Sequence, residues 1–366
     1  MKVKAQIVIL VLVALTATYP MSEAWAQGTN GSGPKPFAAG KIYAFDKITD
    51  GVYYARSRTS LLMRTGSSDP IIVNDNGVMI VDDGMSPGAA RALVEDLKLI
   101  TDKPVRWVVN THYHYDHTSG NSIFGPDVEI IAQESVRTAL LDPEVLHREP
   151  YTGAFTRALK RVESIKKQIA GTADSTKLSS LNEQLAAAQS DVEQLKTLKP
   201  VPPNVTYESK MTLYSGQREI DLLFFGGGHT SGDTVVFLPK ERIVCTGDLM
   251  EGTPKGPFVP YMGDAIFDKW LASLDKLKKL DFDTVLPGHG SPFHEKSYIT
   301  DVQAYLKDFM SRVAALRKEG LTAEQAAQRV DLTDHKGEFL NLHDTGADIR
   351  GVRRMYEWMD EQHNPE

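Results

Sequence analysis

The chain contains ten histidines, and three of them fall within residues 111–120, THYHYDHTSG, with an aspartate just ahead of the third. His112 and His114 stand two apart, directly after a short apolar run rich in β-branched residues at 105–109. In an extended segment, residues two apart project to the same side, so both imidazoles reach one ion. Asp116 and His117 follow on a bend that Gly120 loosens, and there they are placed to serve a second ion. Imidazole with some carboxylate is a ligand set that suits zinc.

Two ions need more ligands than four, and three later strand ends supply candidates. His229 stands in FGGGHTSGD, Asp248 in CTGDL and His289 in PGHG. Each is a polar residue in a small-residue turn at the expected C-terminal end of a strand, where open α/β sheets place their sites. A lone loop histidine is ordinarily just solvated. Seven ligand-type residues in four equivalent contexts argue jointly against that reading.

THYHYDH, GHTSGD, TGDL and PGHG, in this order, resemble the metallo-β-lactamase-fold hydrolase superfamily, over residues 52–292 with one interruption. The resemblance implies an α/β fold, an αββα sandwich with two central mixed sheets and metals at one edge. It assigns His112, His114 and His229 to a first metal and Asp116, His117 and His289 to a second, with Asp248 bridging. Asp82, ending the VMIVDDG strand, matches the family's structural aspartate and is expected to support rather than ligate. The implied cofactor is Zn2+, two per chain; iron is the rival, used by members with a nearly identical ligand set. The implied chemistry is hydrolytic: hydroxide held between two ions attacks a carbonyl or phosphorus, and Asp116 is the catalytic proton shuttle. No serine or cysteine nucleophile is required, and Cys245 reads as a buried strand residue.

The elements that must position these residues alternate. Residues 51–55, 78–81 and 105–109 read as strands, and 87–100 has helical spacing with Ala90, Leu93, Leu97 and Ile100 on one face. Strand patterns resume at 220–225, 234–238, 242–245 and 284–286, with an amphipathic helix at 267–280 between the last two. Between the halves, Leu178, Leu181, Leu185, Ala188, Val192 and Leu195 form an a/d stripe. Leu159, Val162, Ile165 and Ile169 form a matching face, and GTAD supplies the turn. Residues 154–198 are therefore expected to be an inserted helical hairpin: a self-packed excursion, a lid, or a homodimer contact. The expected metal-binding domain runs over 37–296. A helical C-terminal extension covers 297–366, with Thr322 as a helix N-cap and a last helix over 350–360.

The beginning of the chain reads as a cleaved secretory signal, residues 1–26, in which Lys2 and Lys4 precede an apolar run at 7–15 and Ala24-Trp25-Ala26 offers a cleavage site. Residues 27–36, QGTNGSGPKP, read as a flexible leader. The apolar run is far short of the ~20 residues that span a bilayer, so no membrane anchor is expected after cleavage. Cys245 is the single cysteine, which excludes an internal disulfide. The formal charge is -7, and removing Lys2, Lys4 and Glu23 (net +1) leaves -8, unlike a nucleic-acid binder.

An exported protein meets small molecules outside the inner membrane, which favours a small acyl substrate: a β-lactam, lactone, ester or thioester. One β-lactamase branch of the superfamily has a cysteine in place of Asp248 and a lysine three positions on, where this chain has Glu251. A bridging aspartate is the habit of lactonases, thioesterases, phosphodiesterases and sulfatases. A phosphodiesterase or sulfatase is the second reading and an iron-dependent non-hydrolytic member the third. Phe258 and Tyr261 are placed to line a groove, Trp270 fits better in a helix core, and Tyr113 and Tyr115 are expected to point away from the metals.

Overall fold

Successive residues of a strand face opposite ways, and in this chain both faces are apolar. In the computed structural model, which describes residues 36–58 and 66–363, Ile72, Met79 and Val81 turn inward while Ile71, Val78 and Ile80 turn outward. A second sheet repeats the split, with Val236, Cys245 and Leu286 inward and Val235, Val244 and Val285 outward. A sheet that is apolar on both faces has to be covered on both. The result is helix, sheet, sheet, helix, the expected αββα sandwich of mixed sheets. The expected signal segment and all of the leader except Pro36 lie outside the described residues.

The first sheet holds eight strands in chain order, from Ala38–Ala39 to Val205–Tyr207. It is antiparallel as far as Val78–Val81, after which Val105–Val109, Glu129–Gln133 and Val205–Tyr207 join in parallel. The second has five, ordered Thr284–Pro287, Ile243–Gly247, Thr234–Leu238, Arg218–Phe224, Lys210–Ser215, and only the first pair is parallel. The parallel pairs bring the ends after Val81, Val109, Gly247 and Pro287 to one edge, and the site forms there. Pro87–Leu97 covers the outer face of the first sheet through Leu93 and Leu97. Its last turn ends three residues before the expected boundary.

The hairpin consists of Tyr151–Ala170 and Ser175–Lys196. Asp174 starts the second helix by accepting from the backbone N–H groups of Thr176 and Lys177, which satisfies donors that a helix start leaves unpaired. The seam is Val162, Ile165, Leu181 and Ala188, with Arg161 paired to the buried Asp191 at 3.2 Å. Its root is different. Tyr151 and Ala154 pack with Tyr113 and Tyr115, so the hairpin is anchored beside the histidine motif.

Phe267–Lys278, Ser297–Lys318, Ala323–Arg329 and Ile349–His363 cover the outer face of the second sheet. Thr322 and Gln325 form a reciprocal capping box at the third of these. Trp270 is fully buried in this layer and lines no groove. Among the described residues, no helix is long and apolar enough to cross a membrane.

Candidate metal centre

Each candidate side chain sits just beyond a strand end, and local chemistry holds each turn. After Val109 the chain is tied by Asp82, whose Oδ1 accepts from Thr111 N at 2.7 Å and Oδ2 from Thr111 Oγ1 at 2.8 Å. These bonds keep Asp82 in left-handed backbone, φ 62°, a conformation unusual for a residue with a side chain. His114 then caps the short helix Tyr115–Thr118, which lifts Asp116 and His117 toward the same point. His229 is presented by a turn that Asp233 closes, accepting from Thr230 N at 3.0 Å and Thr230 Oγ1 at 2.7 Å. Gly288 must lack a side chain: a Cβ there would lie 2.4 Å from Asp248 Oδ1 and 3.0 Å from His117 Cε1.

The structure brings all seven candidates together in two groups. His112, His114, His229 and Asp248 form one, and Asp116, His117 and His289 the other. Asp248 Oδ2 lies between them, 3.7 Å from His112 Nε2, 3.6 Å from His229 Nε2, 3.4 Å from His117 Nε2 and 3.5 Å from His289 Nε2. Asp116 Oδ2 is 3.3 Å from His289 Nε2.

The tautomers follow from the surrounding bonds. His117 Nδ1–H donates to Asp82 Oδ2 at 2.8 Å. His114 Nε2–H donates to Asp264 Oδ2 at 2.8 Å. His112 Nδ1–H donates to Thr111 Oγ1 at 3.0 Å, and that hydroxyl in turn donates to Asp82 Oδ2. With these N–H groups turned outward, the other ring nitrogen of each of the three imidazoles faces the centre. His114 Nδ1 stands 3.2 Å from His229 Nε2, and His117 Nε2 stands 3.3 Å from His289 Nε2.

Lone pairs converging in a buried space repel unless a cation lies among them, and His112 Nε2 is buried with no other partner. These residues fit a divalent metal site, and the outer carboxylates orient its imidazoles. Burial and the neighbouring imidazoles hold His112 well below the usual histidine range, and burial with His114 brings His229 down to about 3. Burial would also lower His117 and raise Asp248. Instead Asp248, Asp82 and Asp116 hold His117 well above its ordinary value, and His117 and His289 hold Asp248 well below.

Sequence reading did not single out Asp264, Thr111 or Asp233. Asp264 lies in YMGDA, which carries no motif signal, and only the fold places it behind His114. The hydroxyl of Tyr113 also reaches Asp264, so Tyr113 supports the centre from one residue outside it. Tyr261 sits with its ring 5.5 Å from that of His114 and 6.0 Å from that of His229.

Residues 65–289 match the family described as the Metallo-beta-lactamase superfamily. The chain is 25% identical over 279 residues to a linear primary-alkylsulfatase of Pseudomonas sp. (strain ATCC 19151), covering 71% of this chain and 49% of that protein. It is 25% identical over 280 residues to the 2,4-dinitroanisole O-demethylase subunit alpha of Nocardioides sp. (strain JS1661), covering 74% and 62%. The chain thus spans about half to three fifths of the length of these curated relatives.

Among solved structures, the sec-alkylsulfatase Pisa1 from Pseudomonas sp. aligns with TM-score 0.59 at 17% identity, over 86% of this chain and 50% of that one. A metallo-beta-lactamase from Pontibacter korlensis aligns with TM-score 0.50 at 20% identity, over 72% and 99%. These two likenesses concern the fold. Since the family match extends over well over half of the chain and encloses all seven candidate residues, this protein belongs to the metallo-beta-lactamase superfamily.

Proposed function

We propose that the protein is an exported, binuclear, zinc-dependent hydrolase of small molecules. His112, His114 and His229 hold the first ion, Asp116, His117 and His289 the second, and Asp248 bridges. The observation that carries this reading is the position of Asp248 Oδ2, 3.4–3.7 Å from one nitrogen in each of four imidazoles drawn from both groups. Five imidazoles and two carboxylates suit zinc better than harder ions. When bound, two such ions acidify water and polarise the oxygen of the scissile group. Asp116 reaches the rim, its side chain 18% exposed, and there its carboxylate would be placed to take a proton from the attacking water and return it to the leaving group. Asp82 and Asp264 keep their imidazoles in the tautomers that face the centre. Burial of His112, His114 and His229 keeps bulk water out of the inner half.

For the bond cleaved, the names of the curated relatives favour removal of a small group from oxygen, with a sulfate ester first. An acyl substrate, such as a β-lactam, lactone, ester or thioester, is the second reading. One observation favours it: Arg350, whose guanidinium stacks 4.6 Å over the Tyr261 ring, is already engaged by Asp348 and lies 3.7 Å from Glu149. That leaves it poorly placed to receive a sulfate.

The test is a panel of an alkyl sulfate, nitrocefin, a lactone, a thioester and bis-p-nitrophenyl phosphate, run with and without chelator beside elemental analysis. Two zinc ions per chain and chelator-sensitive turnover of one class are expected. Turnover that survives full metal removal overturns the reading, and iron as the resident metal moves the protein to redox chemistry. Export is checked by the mass of the protein purified from its host, which is expected to begin near Gln27.

A further inference from the structure

The outer ligands come from opposite halves of the sandwich. Asp116 and His117 follow a strand of the first sheet, whereas His289 follows a strand of the second. Yet Asp116 Oδ2 and His117 Nε2 each stand 3.3 Å from His289 Nε2, and groups that work together need to be held to within about 0.5 Å. A short segment spans the two loops. Ser67 N–H donates to the carbonyl of Asp116 at 3.2 Å, and the next amide, Ser68 N–H, donates to the carbonyl of Gly288 at 2.8 Å. Consecutive residues thus hold the backbones of both ligand loops. Ser67, 1% exposed, stiffens the bend by donating its hydroxyl to Asp69 Oδ1 at 2.6 Å. Gly66 lies against Asp116 itself. Its φ is 83°, and a Cβ there would stand 2.7 Å from Asp116 Cβ, so the chain comes this close only without a side chain. Residue 69 begins a strand that pairs with Val52–Ser57, and from there the fully buried Tyr54 points into the space between the sheets. Its hydroxyl donates to the Pro287 carbonyl at 3.0 Å, two residues before His289.

We propose that residues 66–68 and the Tyr54 hydroxyl form a strap that sets the span between Asp116 and His289, which makes Tyr54, Gly66 and Ser68 positioning residues of the outer ion. The proposal rests on the two-metal reading given above. The bonds of the strap end on carbonyls of the ligand loops, not on the atoms that face the centre. The inner group is tied across the sheets separately, by Thr234 N–H donating at 2.7 Å to the carbonyl of Thr111, the residue before His112. Loosening the strap therefore frees His289 from Asp116 and His117 and leaves the inner imidazoles in place. Outer partners of metal ligands typically change metal affinity by about 10–100-fold.

The experiment compares wild type, Tyr54→Phe and Gly66→Ala, with His289→Ala to identify which dissociation constant belongs to the outer ion. Each is stripped, then titrated with Zn2+ against a competing chelator and with Co2+ followed by its visible absorption. Phenylalanine keeps the buried ring and loses the bond to Pro287, and alanine pushes the strap off Asp116. In both variants the outer constant is expected to rise about 10–100-fold, with the inner one within a few-fold of wild type. The cobalt spectrum should change for the outer ion alone. The metal-free melting temperature is the folding control. Both constants unchanged, at whatever melting temperature, overturn the proposal, since the strap would then serve stability only. So do two constants that rise equally. If Gly66→Ala does not fold, Tyr54→Phe decides alone. A wild-type protein that takes up fewer than two ions overturns the two-metal reading and the proposal with it, an outcome separable because it shows before any variant is compared.

Discussion

The two halves of the centre use the same residue types but sit at different depths. His112, His114 and His229 are 1%, 3% and 0% exposed, whereas in the outer group only His117 lies as deep, and the side chains of Asp116 and His289 are 18% and 13% exposed. The inner group has one carboxylate among its donors and two imidazoles whose environment resists protonation, with His229 brought down to about 3 by burial and His114. The outer group has Asp116 as well as Asp248, with Asp82 behind, and these carboxylates hold His117 well above its ordinary value against its burial. The inner half is thus built to hold a cation without competition from protons. The outer half faces the rim and must exchange protons for metal. Under the two-metal reading, the inner ion is the anchored one and the outer ion meets substrate.

The largest effect breaks both halves at once. Asp248→Ala removes the oxygen they share, so metal content is expected to fall below one ion per chain and kcat/KM by roughly 10³-fold or more, beyond the ~10–100-fold that an outer partner is worth. Full activity in metal-stripped Asp248→Ala protein would end the mechanism. Single-ligand variants then separate the halves. His114→Ala is expected to weaken the inner ion and lower the melting temperature of the holoprotein, because binding there is coupled to the native fold. His289→Ala should leave one ion per chain and a melting temperature close to wild type, with turnover nearly lost. Equal stoichiometry and equal melting in the two variants would erase the distinction.

Acidification sharpens the same contrast by a gentler route. His117 has a raised value, so it regains its proton early as pH falls and ejects the outer ion. His229, with its value near 3, stays neutral through the same range and retains the inner one. Elemental analysis after dialysis at falling pH is expected to show two ions, then one, then none. A direct step from two to none would mean that the halves are not independent.

The sequence disclosed the ligands of both halves alike. Strand-end motifs made His112, His114, Asp116, His117, His229, Asp248 and His289 legible, because ligand types in small-residue turns repeat four times along the chain. The layered α/β fold was legible for a related reason: strands buried on both faces read as continuous apolar runs, as at 78–81 and 243–245. Strands such as Asp69–Val73 and Lys210–Ser215 were not, since Asp69, Pro70 and Lys210 interrupt the pattern and tertiary pairing supplies what propensity withholds. Asp264 was invisible as a support for a different reason. Nothing local marks a carboxyl as lying behind His114, 150 residues away.

The smallest expected effects come from these outer carboxyls, and they divide along the same line. Asp264 touches the inner group alone, through His114 Nε2 at 2.8 Å. Asp82 reaches both, through His117 Nδ1 at 2.8 Å and through Thr111 to His112. Asp264→Asn should therefore weaken one ion about 10–100-fold and leave the other within a few-fold of wild type. Asp82→Asn should weaken both, and it should also lower the stability of the metal-free protein, since the same carboxylate closes the turn at Thr111 and holds its own backbone at φ 62°. Asparagine keeps the shape in each case but can turn an N–H toward an imidazole that needs an acceptor, which favours the wrong tautomer. A chelator competition resolving the two dissociation constants reads this directly. If Asp264→Asn shifts both constants equally, the two ions are coupled through Asp248 more strongly than their separate supports imply, and the centre behaves as one site rather than two.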